Sequence, residues 1–231
     1  MTIQMYDLCG RDPDRRFSPY CWRTRMALAH KGLEVDAIPW RFIEKDKLAF
    51  AGSTTVPVIV DGANTVADSW KIALYLDTQY SDRPALLSDA AGTGAILFLR
   101  QWTERVLHLA LLRIVLLDAY NCLDEENQAY FRPSREKRFG TTLEKFVEDR
   151  EGHLVKFKEL LAPVRAVVEA QPYLGGERPS YADYIVFGVF QWARSVSPVT
   201  LLASDDPLYA WRGRLLGLYD GLAAKSVGYE V

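Results

Sequence analysis

The residues best placed for chemistry lie at positions 17–22, where a serine and a proline open a segment with a helical pattern. Ser18 is a favoured helix N-cap, and Pro19 suits the first helical position because its missing N–H would have no partner there. The helix would direct its positive end toward Ser18, which stabilises an anion. Ser18 and Cys21 also have the spacing of a C-x-x-C redox pair whose first cysteine is replaced by serine. We therefore predict that this helix start binds a thiolate carried by another molecule.

Two further features could complete a binding site around Ser18, although each alone would be an ordinary structural feature. Val56-Pro57 places a proline at the mouth of a predicted strand, and X–Pro bonds are cis only ~5% of the time by default. A cis bond there would present the Val56 backbone N–H and C=O to an extended peptide. Asp68 and Ser69 open a second helix, whose free N–H groups can hold a carboxylate. Sites for a thiol anion, a peptide backbone and a carboxylate match the three parts of glutathione.

The elements that must position these residues follow from the hydrophobic pattern. Strand and helix signals alternate as β-α-β-α-β-β-α over residues 3–8, 19–31, 35–39, 42–51, 56–60, 64–67 and 69–80. The first β-α-β unit requires a parallel strand pair with a right-handed connection, and Asp61-Gly62 predicts a hairpin turn. We expect a thioredoxin-like domain at residues 1–83, with a mixed four-stranded sheet.

The second half of the chain has only helical periodicity. Residues 84–92 are rich in turn-forming side chains and are predicted to be a linker, so residues 93–231 form an all-helical bundle domain. Apolar side chains spaced by three and four over residues 99–116 predict one long amphipathic helix with Arg113 on its apolar stripe. We expect irregular structure near Pro133 and a kink or break at Pro163.

Composition excludes several classes of function. The 231 residues are 49% hydrophobic with a net charge of −2, which gives no electrostatic reason to expect a nucleic acid or an anionic membrane as partner. Three distant cysteines argue against a disulfide framework, and the three histidines lack metal-ligand spacing. Residues 1–7 lack the pattern of a signal peptide, and the most apolar segment, residues 106–117, is too short to span a bilayer. We expect a cytoplasmic protein with no metal and no membrane segment.

Several stretches spread over nearly the whole chain carry a family resemblance: Tyr6-Asp7-Leu8, Ser18-Pro19-Tyr20 with Trp22-Arg23-Thr24, Val56-Pro57-Val58-Ile59-Val60, Asp68-Ser69-Trp70, Ser134-Arg135-Glu136, Leu174-Gly175-Gly176, Ala182-Asp183-Tyr184 and Asp205-Asp206-Pro207-Leu208. With them the chain resembles the cytosolic glutathione transferases, and more narrowly the bacterial glutathione-dependent β-etherases and fungal etherase-like transferases. The Val-Pro and Asp-Ser pairs are specific to the superfamily. The Ser-Pro-Tyr-x-Trp-Arg-Thr run is specific to the narrower group.

The resemblance implies a role for each predicted site residue. Ser18 would stabilise the glutathione thiolate, Val56 with Pro57 would hold the cysteinyl backbone, and Asp68 with Ser69 would hold the γ-glutamyl end. Lys45 would bind the glycyl carboxylate. The resemblance also implies that glutathione is the co-substrate, that the acceptor is a hydrophobic electrophile and that the protein is a homodimer.

The acceptor pocket is expected between the two domains, where such pockets usually form. Four residues are candidates for its lining: Tyr20, Trp40, Arg113 and Tyr120. Within the site, Tyr6 is an alternative to Ser18, and Cys21 would have to react for thiol-transferase chemistry. The alternative function is a protein that binds glutathione and aromatic ligands without useful turnover.

Overall fold

The computed structural model describes residues 2–230; Met1 and Val231, at which the predicted domains begin and end, lie outside the described residues. The N-terminal part contains a four-stranded sheet in the order β2-β1-β3-β4. Its strands are β1 (Ile3–Leu8), β2 (Val35–Trp40), β3 (Val58–Asp61) and β4 (Asn64–Ala67). Strand β1 is parallel to β2 and antiparallel to β3, and β3 is antiparallel to β4.

Two helices and one short 3-10 segment complete this domain. Helix α1 (Pro19–His30) connects β1 to β2, and helix α2 (Ser69–Gln79) follows β4. The weakly helical segment predicted between β2 and β3 is a 3-10 helix, Lys45–Ala51. The predicted thioredoxin-like arrangement is therefore confirmed.

The remainder of the described chain is helical, which confirms the predicted fold class. Its helices are α3 (Ala90–Trp102), α4 (His108–Asn121), α5 (Glu125–Phe139), α6 (Leu143–Phe146), α7 (Arg150–Leu160), α8 (Ala162–Ala170), α9 (Tyr181–Val196) and α10 (Pro207–Gly221). Pro163 lies in the first turn of α8, so the helical pattern breaks there as predicted. No helix among residues 2–230 has the length and apolar character needed to cross a membrane.

Three local predictions about these helices were wrong. Helix α3 begins at Ala90, so the end of the predicted linker 84–92 is helical. Pro133 lies inside the continuous helix α5 rather than in irregular structure. The long amphipathic helix predicted over residues 99–116 is interrupted by a π-helical segment, Thr103–Leu107, between α3 and α4.

Helix α9 packs against α1 and thereby supports the start of α1. A Cβ atom at Gly188 of α9 would lie only 2.6 Å from the carbonyl oxygen of Pro19. Because real Cβ atoms do not approach backbone oxygen so closely, glycine permits the contact between the two helices. The position of Ser18 thus depends on the helical domain as well as on the sheet.

Candidate functional site

A cavity of about 970 Å³ lies between the thioredoxin-like part and the helical part of the chain. One wall comprises the start of α1, residues 51–57 and the junction of β4 with α2. The other wall comprises residues of α4, α5 and α9 together with Glu104 of the π-helical segment. The cavity is large enough for a peptide-sized ligand and a second molecule beside it.

Ser18 lies buried at the cavity wall, where it caps α1. Its Oγ accepts a hydrogen bond from the backbone N–H of Cys21 at 3.3 Å. Because a hydroxyl has two lone pairs and one hydrogen, this bond leaves the hydrogen available to an anion in the cavity. The N-terminus of α1 adds its positive partial charge at the same place.

Cys21 lies one turn below Ser18 and is fully buried. Burial, together with the negative charge of Asp7, raises the pKa of the Cys21 thiol well above its usual value. A reactive cysteine needs a lowered pKa and access to solvent. The environment of Cys21 therefore favours a neutral structural thiol, and it gives no support to thiol-transferase chemistry.

Val56, Pro57, Asp68 and Ser69 all line the same cavity as Ser18. The Val56–Pro57 peptide bond is cis. Pairing of β3 with both neighbours begins at Val58, so the Val56 peptide groups lie outside the ladder of the sheet. The structure thus places the predicted peptide-backbone element beside the predicted thiolate element.

Asp68 and Ser69 form the start of α2 at the cavity. Asp68 has φ of 82°, in the left-handed region, and its Oδ1 accepts hydrogen bonds from the N–H groups of Trp70 and Lys71 at 2.9 and 3.1 Å. Ser69 is buried, and its Oγ has no hydrogen-bond partner among residues 2–230. A ligand carboxylate could accept a hydrogen bond from this hydroxyl, since a buried polar atom without a partner is unfavourable.

Asp68 belongs to a line of charged groups that reaches into the protein interior. Its Oδ2 lies 3.5 Å from Nη2 of Arg100, and Nε of Arg100 lies 2.9 Å from Oε1 of Glu104. Arg23, which is fully buried, binds the same Oε1 at 2.8 Å. These ion pairs link the capped start of α2 to the π-helical segment.

Lys45 also lines the cavity, at the 3-10 helix that follows β2. Its Nζ lies 4.5 Å from the centroid of the Tyr130 ring. The pKa of the Tyr130 phenol is lowered, chiefly by its interaction with Lys45. Lys45 therefore presents a positive charge at one end of the cavity.

Tyr20 and Trp40 line the cavity, and two aromatic residues that were not predicted also line it. The ring of His108 makes edge contacts with Tyr20 and with Trp192, at centroid distances of 5.2 and 5.9 Å. His108 is buried, and no described residue hydrogen-bonds to its Nε2. This part of the cavity is suited to a planar aromatic molecule.

Arg113 and Tyr120 do not line the cavity, contrary to prediction. Arg113 is exposed and its guanidinium lies 4.6 Å from the Phe146 ring centroid, because the apolar stripe of α4 faces another direction. Tyr120 packs on Phe131 at the end of α4. Tyr6, the alternative catalytic residue, is also outside the cavity lining and packs against Phe50.

Two family models match the chain, and both describe the same family. The glutathione S-transferase N-terminal domain matches residues 17–79, and the glutathione S-transferase C-terminal domain matches residues 96–203. Together they cover well over half of the chain. The chain belongs to the glutathione S-transferase family.

Solved structures of other glutathione S-transferases have the same architecture. One from Ceriporiopsis subvermispora, determined in complex with glutathione, is 26% identical, with a TM-score of 0.81 over 94% of this chain and 96% of that one. Glutathione transferase GSTFuA2 from Phanerochaete chrysosporium is 28% identical, with a TM-score of 0.69 over 96% and 93% of the two chains. Glutathione S-transferase Z1 of Arabidopsis thaliana is 38% identical over 72 residues. That match spans 29% of this chain and about a third of the length of the curated relative.

Sequence reasoning missed several residues of this glutathione S-transferase cavity: His108, Tyr130, Arg135, Arg138 and Trp192. All of them lie on helices of the second domain, and only Arg135 belongs to a stretch that matches the family, Ser134-Arg135-Glu136. Only the packing of those helices against the sheet brings them to the cavity. Among residues 2–230, no group of three or more His, Cys, Asp or Glu side chains is placed to hold a metal ion.

Acid should destabilise this glutathione S-transferase through His108. Burial and the nearby Arg23 charge lower the pKa of His108 from its ordinary 6.5 to about 3, so the folded protein binds fewer protons than the unfolded chain between those values. Stability therefore falls as pH decreases through 6.5, by about 2 kcal/mol at about pH 5 from this group alone. We expect the free energy of unfolding of His108→Phe, measured with urea, to fall correspondingly less between pH 7 and pH 5 than that of the wild-type protein.

The phenylalanine ring keeps the aromatic contacts but cannot bind a proton. Above about pH 7.5 the pH dependence of the two proteins should coincide, because His108 is neutral in both the folded and the unfolded state. Parallel curves down to about pH 5 would contradict the neutral state of His108 in the folded protein.

Proposed function

We propose that this protein is a serine-type glutathione transferase, in which Ser18 stabilises the thiolate of bound glutathione. The observation that carries the proposal is the placement of the Ser18 hydroxyl in one cavity with Val56 and Ser69. Val56 would hold the cysteinyl backbone, and Ser69 with the start of α2 would hold the γ-glutamyl carboxylate. Lys45 would bind the glycyl carboxylate. Ser18 and the proposed γ-glutamyl carboxylate site both lie at helix N-termini, where anions are favoured.

The mechanism needs an ionised thiol and a positioned electrophile. The glutathione thiol loses its proton to solvent, and the thiolate accepts a hydrogen bond from the Ser18 hydroxyl. The sulfur then attacks an electrophilic carbon: a C–S bond forms, and the leaving group departs with the bonding electron pair. No protein side chain has to form a covalent bond.

Two observations support an aromatic acceptor, and the first is the composition of the cavity wall. Tyr20, His108 and Trp192 supply ring edges and faces next to the thiolate position, where an aromatic ring can pack. The second is the Ser-Pro-Tyr-x-Trp-Arg-Thr run, which resembles that of the etherase group. We therefore propose cleavage of β-aryl ethers as the specific reaction, with a phenolate as the leaving group.

The test is phenol release from a β-aryl ether that carries a fluorogenic phenol, in the presence of glutathione. We expect release by the wild-type protein and release about 10- to 100-fold slower by Ser18→Ala. A panel of simpler electrophiles, assayed in parallel, separates ether cleavage from general conjugation. Tight binding of glutathione and aromatic ligands without turnover of any electrophile would instead support a ligand-binding protein.

The family resemblance also leads us to propose a homodimer. Phe98 on α3 is 74% exposed, and Leu74 on α2 is 41% exposed. Exposed large apolar side chains of this kind are suited to contact with a second copy.

A further inference from the structure

The lining of the cavity has an excess of unpaired positive charge. Four cations line it, namely Lys45, Lys71, Arg135 and Arg138, beside two carboxylates, Asp68 and Glu104. Both carboxylates already pair with Arg100, and Glu104 also pairs with Arg23. Within residues 2–230, none of the four lining cations forms an ion pair with a carboxylate. The cavity is therefore prepared for anionic ligands.

Arg135 is the most constrained of these cations. Its guanidinium carbon lies 5.3 Å from the Phe42 ring centroid and 4.4 Å from the Phe131 ring centroid. One terminal nitrogen donates a hydrogen bond to Ser134 Oγ at 2.9 Å. Two aromatic contacts fix the plane of the guanidinium, so its remaining N–H donors keep a defined direction.

Burial of the Arg135 charge is unfavourable without an anion. Desolvation by burial lowers the pKa of Arg135 and the positive charge of Arg138 lowers it further, whereas Tyr130 partly offsets them. An arginine nevertheless remains protonated near neutral pH. A bound anion would offset both the desolvation and the repulsion between the two guanidinium groups.

Arg138 is a second cation of helix α5 at the cavity lining. It lies three residues after Arg135 on α5, a spacing that places two side chains on the same helix face. Burial raises the pKa of the Tyr20 phenol, and the positive charge of Arg138 has a smaller effect that lowers it. Arg138 therefore lines the same cavity as Arg135, and its guanidinium carbon lies 5.4 Å from the Phe139 ring centroid.

Glutathione does not account for these two arginines under the proposed function. Its glycyl carboxylate is assigned to Lys45, and its γ-glutamyl carboxylate to Ser69 and the start of α2, with Lys71 nearby. We propose that Arg135 and Arg138 form an anion subsite for the acceptor, so that the preferred electrophile is an aromatic compound carrying a carboxylate. This inference rests on the proposed function.

A carboxylate suits the subsite because its two oxygens match the parallel donors of one guanidinium. A suitable probe is 4-chloro-3-nitrobenzoate. The glutathione sulfur attacks the carbon that bears chlorine, the C–S bond forms, and chloride leaves with the electron pair of the C–Cl bond. The carboxylate is unchanged and remains in the conjugate, so binding of the product reports on the subsite.

The experiment compares three ligands by isothermal titration at fixed ionic strength: glutathione, S-(4-carboxy-2-nitrophenyl)glutathione and the corresponding carboxamide conjugate. We expect the wild-type protein to bind the carboxylate conjugate about tenfold more tightly than the carboxamide. In Arg135→Gln this preference should fall to within about twofold, while the Kd of glutathione changes by less than about twofold.

Lys137→Gln is the matched control, since it removes one positive charge from an exposed position of the same helix outside the cavity lining. Lys137→Gln should leave the preference for the carboxylate conjugate unchanged. A loss of that preference as large as in Arg135→Gln would overturn the proposal. If Arg135→Gln fails to fold, as judged by circular dichroism, the exposed Arg138→Gln tests the same preference and should reduce it about threefold.

Two further results would overturn the subsite. The first is equal affinity of the wild-type protein for the carboxylate and carboxamide conjugates. The second is a loss of glutathione affinity in Arg135→Gln as large as the loss for the carboxylate conjugate, which would assign Arg135 to the glycyl carboxylate.

Turnover of 4-chloro-3-nitrobenzamide distinguishes failure of this inference from failure of the proposed function. Turnover that depends on Ser18, without a preference for the carboxylate, overturns the subsite alone. Absence of turnover with both of these electrophiles and with the fluorogenic β-aryl ether contradicts the proposed function, and the conjugate affinities still decide the subsite.

Discussion

Ser18→Ala should lower kcat/KM for glutathione conjugation about 10- to 100-fold at neutral pH. A thiol with a pKa of about 8.5 is only a few per cent ionised at pH 7, so the site must favour the thiolate. A hydrogen bond from a hydroxyl to an anion contributes roughly 1.5–3 kcal/mol, which corresponds to one or two pKa units of the bound thiol. The start of α1 contributes roughly 0.3–1 kcal/mol more and remains in the variant.

The readout that isolates this role is ionisation of bound glutathione, followed by the ultraviolet absorbance of the thiolate as pH is raised. The pKa of the bound thiol should rise by about one to two units in Ser18→Ala. The kinetic defect should therefore shrink above about pH 9, where the thiol ionises without help. A defect that is independent of pH would point to misplacement of the substrate instead.

Ser18→Thr is the matched control, because threonine keeps both the hydroxyl and the capacity to cap α1. It should recover most of the activity. Ser18→Ala also removes the hydrogen bond from Cys21 N–H, which costs about 1 kcal/mol of stability, so urea unfolding must accompany the kinetics. An unchanged pKa of bound glutathione in Ser18→Ala would show that the hydroxyl does not stabilise the thiolate.

The two helix starts at the cavity could be predicted from sequence because their signals are local. Ser18 with Pro19, and Asp68 with Ser69, are helix starts, and a helix start is encoded by adjacent residues. Only the order of strands was then needed to bring the two helix starts into one cavity. Their roles in binding glutathione remain proposals.

The part of the cavity lining that the helical domain supplies could not be predicted, and Arg113 shows why. Its assignment to an apolar stripe assumed about 3.6 residues per turn throughout residues 99–116. The π-helical segment Thr103–Leu107 adds a residue to one turn, which rotates everything after it by roughly 100°. Leu109, one of the apolar residues of the predicted stripe, is 43% exposed, and it lines the cavity together with its neighbour His108.

The second class of missed residues depends on tertiary packing alone. Arg135 and Arg138 lie on a helix with a charged sequence, which by itself indicates a solvated surface. Their position at the cavity follows from how α5 packs beside Phe42 of the sheet domain, and no short-range pattern encodes that contact.

Asp183→Asn should destabilise the protein by about 3–5 kcal/mol, the largest stability effect that we expect from a single polar substitution. Asp183 is fully buried at the start of α9. Its Oδ1 accepts hydrogen bonds from Leu174 N–H at 2.7 Å and Trp211 Nε1–H at 2.9 Å. Its Oδ2 accepts from Gly175 N–H at 3.0 Å and Ser180 N–H at 2.9 Å.

Asparagine has nearly the same shape as aspartate but replaces one of these acceptors with an NH₂ group. The asparagine NH₂ would face two N–H groups, so both N–H groups would lose their acceptor. The NH₂ would itself be a buried donor placed against other buried donors. The other two hydrogen bonds lose the assistance of the negative charge. The expected fall in midpoint temperature is roughly 10 °C for a chain of this length.

Asp89→Asn is the matched control for Asp183→Asn. Asp89 caps α3 through Gly92 N–H at an exposed position, and asparagine caps helices about as well as aspartate. The free energy of unfolding of the Asp89→Asn variant should differ from that of the wild-type protein by less than about 0.5 kcal/mol. If Asp183→Asn lost no more free energy of unfolding than Asp89→Asn, the four N–H groups that now bond to Asp183 would have to bond to water or to other acceptors.

Asp183 also connects stability to the site, because the helix that it anchors contains both Gly188 and Trp192. Gly188 contacts Pro19 beside Ser18, and Trp192 lines the cavity. If α9 keeps its position in Asp183→Asn, the folded fraction should retain the wild-type KM for glutathione and lose only thermal stability. A raised KM at a temperature where the variant remains folded would instead mean that the buried carboxylate also sets the position of the start of α1.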